Sequence, residues 1–350
     1  MGFPRNDYLT AAKDKKHSDE FISETLSYAD GLDSKGLPVI FDQQHLSYLL
    51  CMEHRNLRQL VKSASSYYKY FAIKKRRGGL RRIMSPYSEL RDVQIWIKEN
   101  ILDKIELPNC VKAFVKGRNI MENAKMHEGR KYILKVDITN FFESIGVRQV
   151  YVAFRKMGYD RSVAAWLANL CTAKIEDYKY EQLEDQEEIQ KLFNDLYHKS
   201  EPFLVQGAPT SPGLANKHGF TYSRYADDMT FSADKKDRLP KVSMIRKIVE
   251  TEGFHLNDEK IELLHEGNRQ IVTGLLVDNH VRVPGRYKKD IKRHIHFCLK
   301  YGGREHFHRI APGKAFGKEW LAGRIRYIHS VEPETAKKLW AEFERIDWGY

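Results

Sequence analysis

Asp137, Asp227 and Asp228 are the residues whose types and spacing best suit chemistry. Asp137 closes an apolar run in "KYILKVDITNFF", and Asp227 and Asp228 sit mid-way through "TYSRYADDMTFSAD", among Tyr222, Tyr225, Met229 and Phe231. Buried carboxylates resist ionisation unless something pairs with them, and adjacent ones repel. Neighbouring strands lie about 4.7–4.9 Å apart, so pairing these two elements would bring two or three carboxylates together at one sheet edge. Divalent cations relieve that conflict. Hard oxygen ligands suit Mg²⁺, which takes one or two carboxylates and fills its shell with substrate phosphates. Two such ions about 3.5–4 Å apart can activate an attacking hydroxyl and stabilise a leaving oxygen in phosphoryl transfer. An ordinary polar turn is the plainer reading of an Asp-Asp pair. "SYADG" at 27–31, with Gly31 where a second Asp would stand, is a copy read as a helix end.

Two other segments suit a nucleotide. Lys74, Lys75, Arg76, Arg77, Arg81 and Arg82 crowd around Gly78 and Gly79 in "YFAIKKRRGGLRRIMSP". Such a cluster matches a triphosphate or a nucleic-acid backbone, although a solvated basic hairpin has the same composition. In "QGAPTSP", Gly207, Pro209 and Pro212 fix a backbone that could pass under a bound nucleotide, or form a plain surface loop.

The elements that must position these residues follow from pattern. Residues 18–68 read as helices, opened by Ser18 as a cap. The basic segment reads as two strands turning at Gly78 and Gly79, and "ELRDVQIWIKENILDKI" as an amphipathic helix. A strand ends at Asp137 and a helix follows through "VRQVYVAFRKMGY"; "YSRYADDMTFSA" is a hairpin with the two carboxylates at its turn. "VSMIRKIVETEGF" is a helix, "QIVTGLLVDNHVRV" a second hairpin, and the remainder is helical, with a basic stretch at 286–300 and Pro333 near a first helical turn. The acidic segment 176–199 has the charge pattern of a solvated helix or surface insertion. Helices alternating with hairpins indicate an α+β domain with an antiparallel sheet and a basic helical tail.

Composition narrows the partners. The 350 residues carry 59 Lys and Arg against 47 Asp and Glu, a net charge of +12, which suggests a polyanion. Cys51, Cys110, Cys171 and Cys298 form no CxxC pair, which argues against a zinc ribbon or redox dithiol and for reduced thiols. No stretch approaches the roughly twenty apolar residues of a membrane helix, and the N-terminus has no secretion signal, so a cytoplasmic protein with no membrane partner is expected.

Taken in order, the basic hairpin, "VDITNFF", "QGAPTSP", "YADD", "GFHLNDEK" and "VTG" resemble a reverse transcriptase over about residues 70–280. "NAKMH", from Asn123 to His127, matches the Asn-Ala-x-x-His motif of retron reverse transcriptases, and Val272, Thr273 and Gly274 match their other signature. "GLPVIFDQQHLSYLL" and "WLAGRIRYIHSVEP" also look like retron sequence. The resemblance implies a right-hand polymerase with fingers, palm (antiparallel sheet plus helices) and helical thumb. A helical segment would span 1–70, fingers and palm 71–277 with a surface insertion near 172–200, and a basic thumb 278–350.

The resemblance also assigns roles. Asp137, Asp227 and Asp228, with the Ile138 carbonyl, would hold two Mg²⁺ ions, and Lys260 would act as general acid for pyrophosphate. Phe142 would be the aromatic gate that rejects a ribose 2′-OH, Gln206 would contact the incoming dNTP, and Lys75 and Arg81 its phosphates. Asn123, His127, Val272, Thr273 and Gly274 would touch structured RNA or the primer, and the 286–300 segment would track the duplex.

The implied activity is RNA-directed DNA synthesis from the 2′-OH of an internal guanosine in a cognate noncoding RNA. The product is branched RNA-linked single-stranded DNA, made within a bacterial antiphage system that has a separate effector protein. Alternatives are another bacterial reverse transcriptase, of intron or defence type, or a nucleic-acid-binding scaffold that restrains an effector. Two departures from the family stand out. The 172–200 segment is long, and few residues lie between Asn216 and Tyr225, where the family has a palm helix.

Overall fold

A computed structural model gives the structure of the protein and describes residues 3–75, 78–183, 186–206, 208, 223–311 and 317–349. The segment between Asn216 and Tyr225, where a palm helix is expected to be short, lies largely outside the described residues.

The chain opens with helices α1 (Arg5–Asp14), α2 (Asp19–Asp33), α3 (Gln43–Leu49) and α4 (His54–Ser63). Ser18 caps α2 by accepting from the Phe21 N–H, as its sequence suggests. A hairpin of β1 (Tyr68–Lys74) and β2 (Leu80–Pro86) follows, turning where Gly78 and Gly79 take φ of 93° and 76°. L-residues with a Cβ rarely adopt that conformation, which explains the paired glycines. Helix α5 (Ser88–Asn100) buries Leu90, Val93, Gln94 and Ile97, one stripe at helical spacing.

The palm sheet is antiparallel, in the order β4-β5-β3-β6, from β3 (Tyr132–Asp137), β4 (Ser223–Tyr225), β5 (Asp228–Ala233) and β6 (Glu262–His265). Side chains alternate along β3. Leu134 and Val136 enter the first hydrophobic core, Ile133 enters a second, and Lys135 and Asp137 share the face of Ile133. Helices α6 (Ile120–Lys125), α7 (Val147–Met157), α8 (Arg161–Cys171), α9 (Asp177–Glu181), α10 (Glu187–Tyr197) and α11 (Val242–Thr251) surround this sheet and the hairpin.

The helices of 1–70 share one core with the palm, where Leu32, Leu46, Leu57 and Leu60 join Val136, Phe154 and Leu167. The described part of 172–200 packs on the same core. Phe193 and Leu196 of α10 are buried at 0% and 1% exposure. Each such burial contributes about 1.5–3 kcal/mol. The acidic face of α10 is solvated as the charge pattern indicated, but its apolar face closes the core beneath β2.

The thumb is α12 (Gly285–Tyr301), α13 (Gly303–Ile310), α14 (Gly317–His329) and α15 (Pro333–Phe343), with Pro333 at the first turn. Its core joins Ile291, Ile295, Leu321, Ile325 and Leu339 to Val272, Leu275 and Val277, so thumb packing begins before residue 278. Val272 and Leu275 belong to the two-strand hairpin of β7 (Ile271–Val272) and β8 (Leu275–Leu276), and Val277 follows it. Among the described residues no disulfide joins the cysteines, and no helix is long and apolar enough to cross a membrane.

Candidate active site

Register brings the carboxylates together. Asp137, last in β3, pairs with Asp228, first in β5, and Tyr225 of β4 pairs with the same Asp228. Ala226 and Asp227 are therefore the two-residue turn between β4 and β5. Ala226 has φ of 58°, the left-handed geometry that the tight hairpin turns require. The Ile138 N–H donates to the Asp227 carbonyl at 3.1 Å, while the Asn257 N–H donates to the Asp137 carbonyl at 2.8 Å and the Thr139 N–H to the His255 carbonyl at 2.9 Å. The backbone around Asp137 is thus pinned on both sides.

Burial pushes the Asp228 carboxyl up to about 6, and the negative charges of Asp227 and Asp137 add to the effect against the opposing pull of Lys135 and Lys260. Asp227 is raised for the same first reason, with Asp137 next, and Lys260 and Arg81 opposing. Lys260 Nζ donates to both carboxylate oxygens of Asp137, at 2.8 and 2.9 Å. Lys135 was not singled out in the sequence, although it lies two residues before Asp137 and so shares its face. It also meets Glu262 at 3.4 Å.

These residues fit a divalent cation. The donors are hard oxygens on a fixed turn, and burial first, with their mutual repulsion adding to it, keeps Asp227 and Asp228 reluctant to ionise. Among the described residues, no three potential ligands are drawn around a single point, and the Lys260 ammonium takes both oxygens of Asp137. A bound cation would have to displace that ammonium.

The nucleotide-contact candidates gather around this end of the sheet to differing degrees. Arg81 is exposed on β2, and its charge reaches Asp227. Lys75 is exposed at the hairpin tip, where its N–H donates to the Gly79 carbonyl at 2.9 Å. The Gln206 carbonyl accepts from the Met84 N–H at 3.0 Å, joining the "QGAP" stretch to β2; Gly207 and Pro209 lie outside the described residues. Phe142 is half-buried beside Phe141, ring centroids 5.5 Å apart, and Phe141 packs on Phe254 at 5.7 Å.

The Asn123 and His127 side chains are placed otherwise than expected. Asn123 is 1% exposed and accepts at Oδ1 from the Ser223 hydroxyl, 2.6 Å away. His127 is 4% exposed, with Nδ1 2.7 Å from the Ser232 hydroxyl, and burial holds its imidazole down at about 4, so it is neutral. Both brace the β4–β5 hairpin from within, so neither side chain is offered to RNA. Burying a polar group without a partner costs more than pairing it, which is why each meets a serine. Val272 is buried too, whereas Thr273 and Gly274 form the turn between β7 and β8 with φ of 46° and 87°. Thr273 Oγ1 donates to the Ile120 carbonyl at 3.3 Å, tying this turn to the start of α6.

A polymerase-type palm carrying three carboxylates agrees with the comparisons to known proteins. The family described as reverse transcriptase (RNA-dependent DNA polymerase) matches residues 73–297, and the chain belongs to it. Retron reverse transcriptases are among its curated relatives. It is 31% identical to the retron Mx162 reverse transcriptase of Myxococcus xanthus over 318 residues, covering 81% of this chain and 61% of the relative. It is 28% identical to the retron Ec86 reverse transcriptase of Escherichia coli over 340 residues, covering 91% and 93%. The chain therefore spans about three fifths of the first relative and nearly all of the second. A solved telomerase structure from Candida albicans aligns with a TM-score of 0.41 and 11% identity, across 85% of this chain and 60% of that one.

Proposed function

We propose that this chain is the RNA-directed DNA polymerase of a retron, acting in the bacterial cytoplasm. It would copy a cognate structured noncoding RNA from an internal guanosine 2′-OH into branched RNA-linked single-stranded DNA, as part of antiphage defence with a separate effector. The observation that carries the catalytic reading is the convergence of Asp137, Asp227 and Asp228 at one end of β3 and β5 in a chain of this family. The retron-enzyme relatives support the choice of RNA and product.

In this reading Asp137, Asp227, Asp228 and the Ile138 carbonyl hold two Mg²⁺ ions. When bound, such ions lower the pKa of the attacking hydroxyl and stabilise the leaving oxygen. The chain's own residues do the rest. Lys75 and Arg81 bind the triphosphate of the dNTP, and Gln206 lies under it. Phe142 fills the space that a ribose 2′-OH would need. Lys260, released from Asp137, donates a proton to the departing pyrophosphate. Thr273 and Gly274 present backbone to RNA or primer. The thumb groove lined by Arg269, Arg286, Lys289 and Arg293 follows duplex phosphates.

The test is to co-express the chain with its neighbouring noncoding RNA, purify the complex, and add dNTPs and Mg²⁺. RNA-linked DNA is expected. Asp227→Asn with Asp228→Asn should abolish it while RNA stays bound; DNA synthesis persisting in that variant would overturn the metal assignment.

A further inference from the structure

Arg81 and Arg82 are adjacent on β2, so they point to opposite faces of the hairpin. Arg81 acts on Asp227, while Arg82 turns away and is only 12% exposed. Its Nε donates to Glu143 Oε1 at 3.4 Å, and its Nη1 donates to the Leu192 carbonyl at 3.0 Å and to Asp195 Oδ1 at 2.5 Å. Glu143 is itself buried, directly follows Phe142, and its carbonyl accepts from Lys199 Nζ at 3.0 Å. Lys179 of α9 ties the other strand of the hairpin: its ammonium donates to the Tyr68 carbonyl and lies 5.0 Å from the Tyr87 ring centroid and 5.6 Å from that of Tyr70. After α10 the chain returns to the palm, where Phe203 exchanges backbone hydrogen bonds with Ala173 at 2.9 Å each way, and then reaches Gln206, whose carbonyl accepts from the Met84 N–H of β2.

Residues 173–183 and 186–206 therefore grip both strands of the hairpin and the residue after Phe142, between the palm contact at Ala173 and the return at Gln206. We propose that this segment is a bracket that fixes the spacing between the fingers hairpin and the Phe142 loop, with Arg82 as its central positioning residue for sugar discrimination. A guanidinium suits the task because its rigid planar fork fixes the directions in which it holds several acceptors, whereas the donors of an ammonium rotate on a flexible stem. The buried Arg82–Glu143 pair specifies one distance between two elements that carry opposite walls of the nucleotide site. This inference rests on the reading of Phe142 as the sugar gate.

The experiment uses the full chain on oligo(dG) annealed to poly(rC), comparing dGTP with GTP in steady-state single-nucleotide addition. Arg82→Met with Glu143→Gln removes both buried charges together, so no unpaired carboxylate is left inside. It should raise KM for dGTP and reduce the dGTP:GTP preference by about tenfold, with a smaller loss in kcat. Asp195→Asn, at a 55% exposed side chain, should move the same two quantities in the same direction by less. Phe142→Ala separates the two readings. If Phe142→Ala relaxes the preference while the Arg82 variant only lowers Tm and leaves KM and preference unchanged, the bracket is wrong and the gate stands. If Phe142→Ala leaves the preference intact, the gate reading fails instead. Amide exchange decides the bracket independently of turnover. The Arg82 variant should lose protection in 80–86 and 139–146 together, and faster exchange confined to α10 would refute the coupling.

Discussion

Lys260 holds both carboxylate oxygens of Asp137, at 2.8 and 2.9 Å, on an ammonium that is itself largely exposed. The cation nearest the catalytic cluster is thus an exchangeable side chain. Lys260→Ala should have two opposite effects. Asp137 becomes more available, so half-maximal activity should need less Mg²⁺. The proton donor is lost, so kcat should fall about 10²-fold at saturating metal. Pre-steady-state single-nucleotide addition across an Mg²⁺ titration reads both, and an unchanged kcat would remove Lys260 from the proton-transfer step.

Asp228 gives a pH prediction. Its carboxyl, raised by burial to about 6 from the ordinary aspartate range, binds a proton more tightly in the folded protein than in the unfolded chain. Its own contribution to stability is therefore fullest below about pH 4, falls as pH rises from 4 towards 6, and stays lost above that. Asp228→Asn removes the ionisable group. In metal-free buffer at pH 7.5 it should raise Tm by a few degrees, about 2–5 °C, and the gain should vanish near pH 4. Mg²⁺ should raise the Tm of the parent protein more than that of Asp228→Asn. A drop in Tm for Asp228→Asn at pH 7.5 would contradict the crowding.

Phe142 gives a selectivity prediction. Phe142→Ala opens space beside the sugar, so GTP incorporation should rise relative to dGTP by about 10- to 100-fold, with dGTP use changed less. Competition between the two nucleotides on one primed RNA template measures the ratio directly.

Asn123 gives a stability prediction where its motif suggested RNA contact. Removing the partner of the Ser223 hydroxyl in a site 1% exposed should cost about 1–3 kcal/mol. Asn123→Ala should lower the urea midpoint and leave affinity for short RNA, measured well below that midpoint, within about twofold. Full stability with weakened RNA binding would place Asn123 at the RNA after all.

Much of the site was legible because its signals are local. The apolar run ending in Asp137, the two-residue turn at Asp227 and the paired glycines of the fingers hairpin each sit inside one short element. What escaped depends on which elements meet. The acidic composition of 176–199 describes the outer face of α10, whereas Phe193 and Leu196 are buried, Phe193 against the ring of Tyr70, more than a hundred residues earlier in the chain. Asn123 and His127 look functional as a motif, yet only the fold reveals Ser223 and Ser232 opposite them. Lys135 shares the face of Asp137 by strand alternation, but that Asp228 lies close enough to feel its charge follows only from the register of β3 against β5. The N-terminal helices merge with the palm for a similar reason: leucines spaced for a helix do not say which surface they will cover.

The most direct test is extension of a DNA primer annealed to an RNA template by the purified chain, with dNTPs and Mg²⁺. The account predicts template-dependent DNA synthesis by the parent protein, and at least a 10³-fold lower rate for Asp228→Asn despite equal primer–template binding. DNA synthesis by Asp228→Asn at the parent rate would contradict the assignment of Asp137, Asp227 and Asp228 as the catalytic centre.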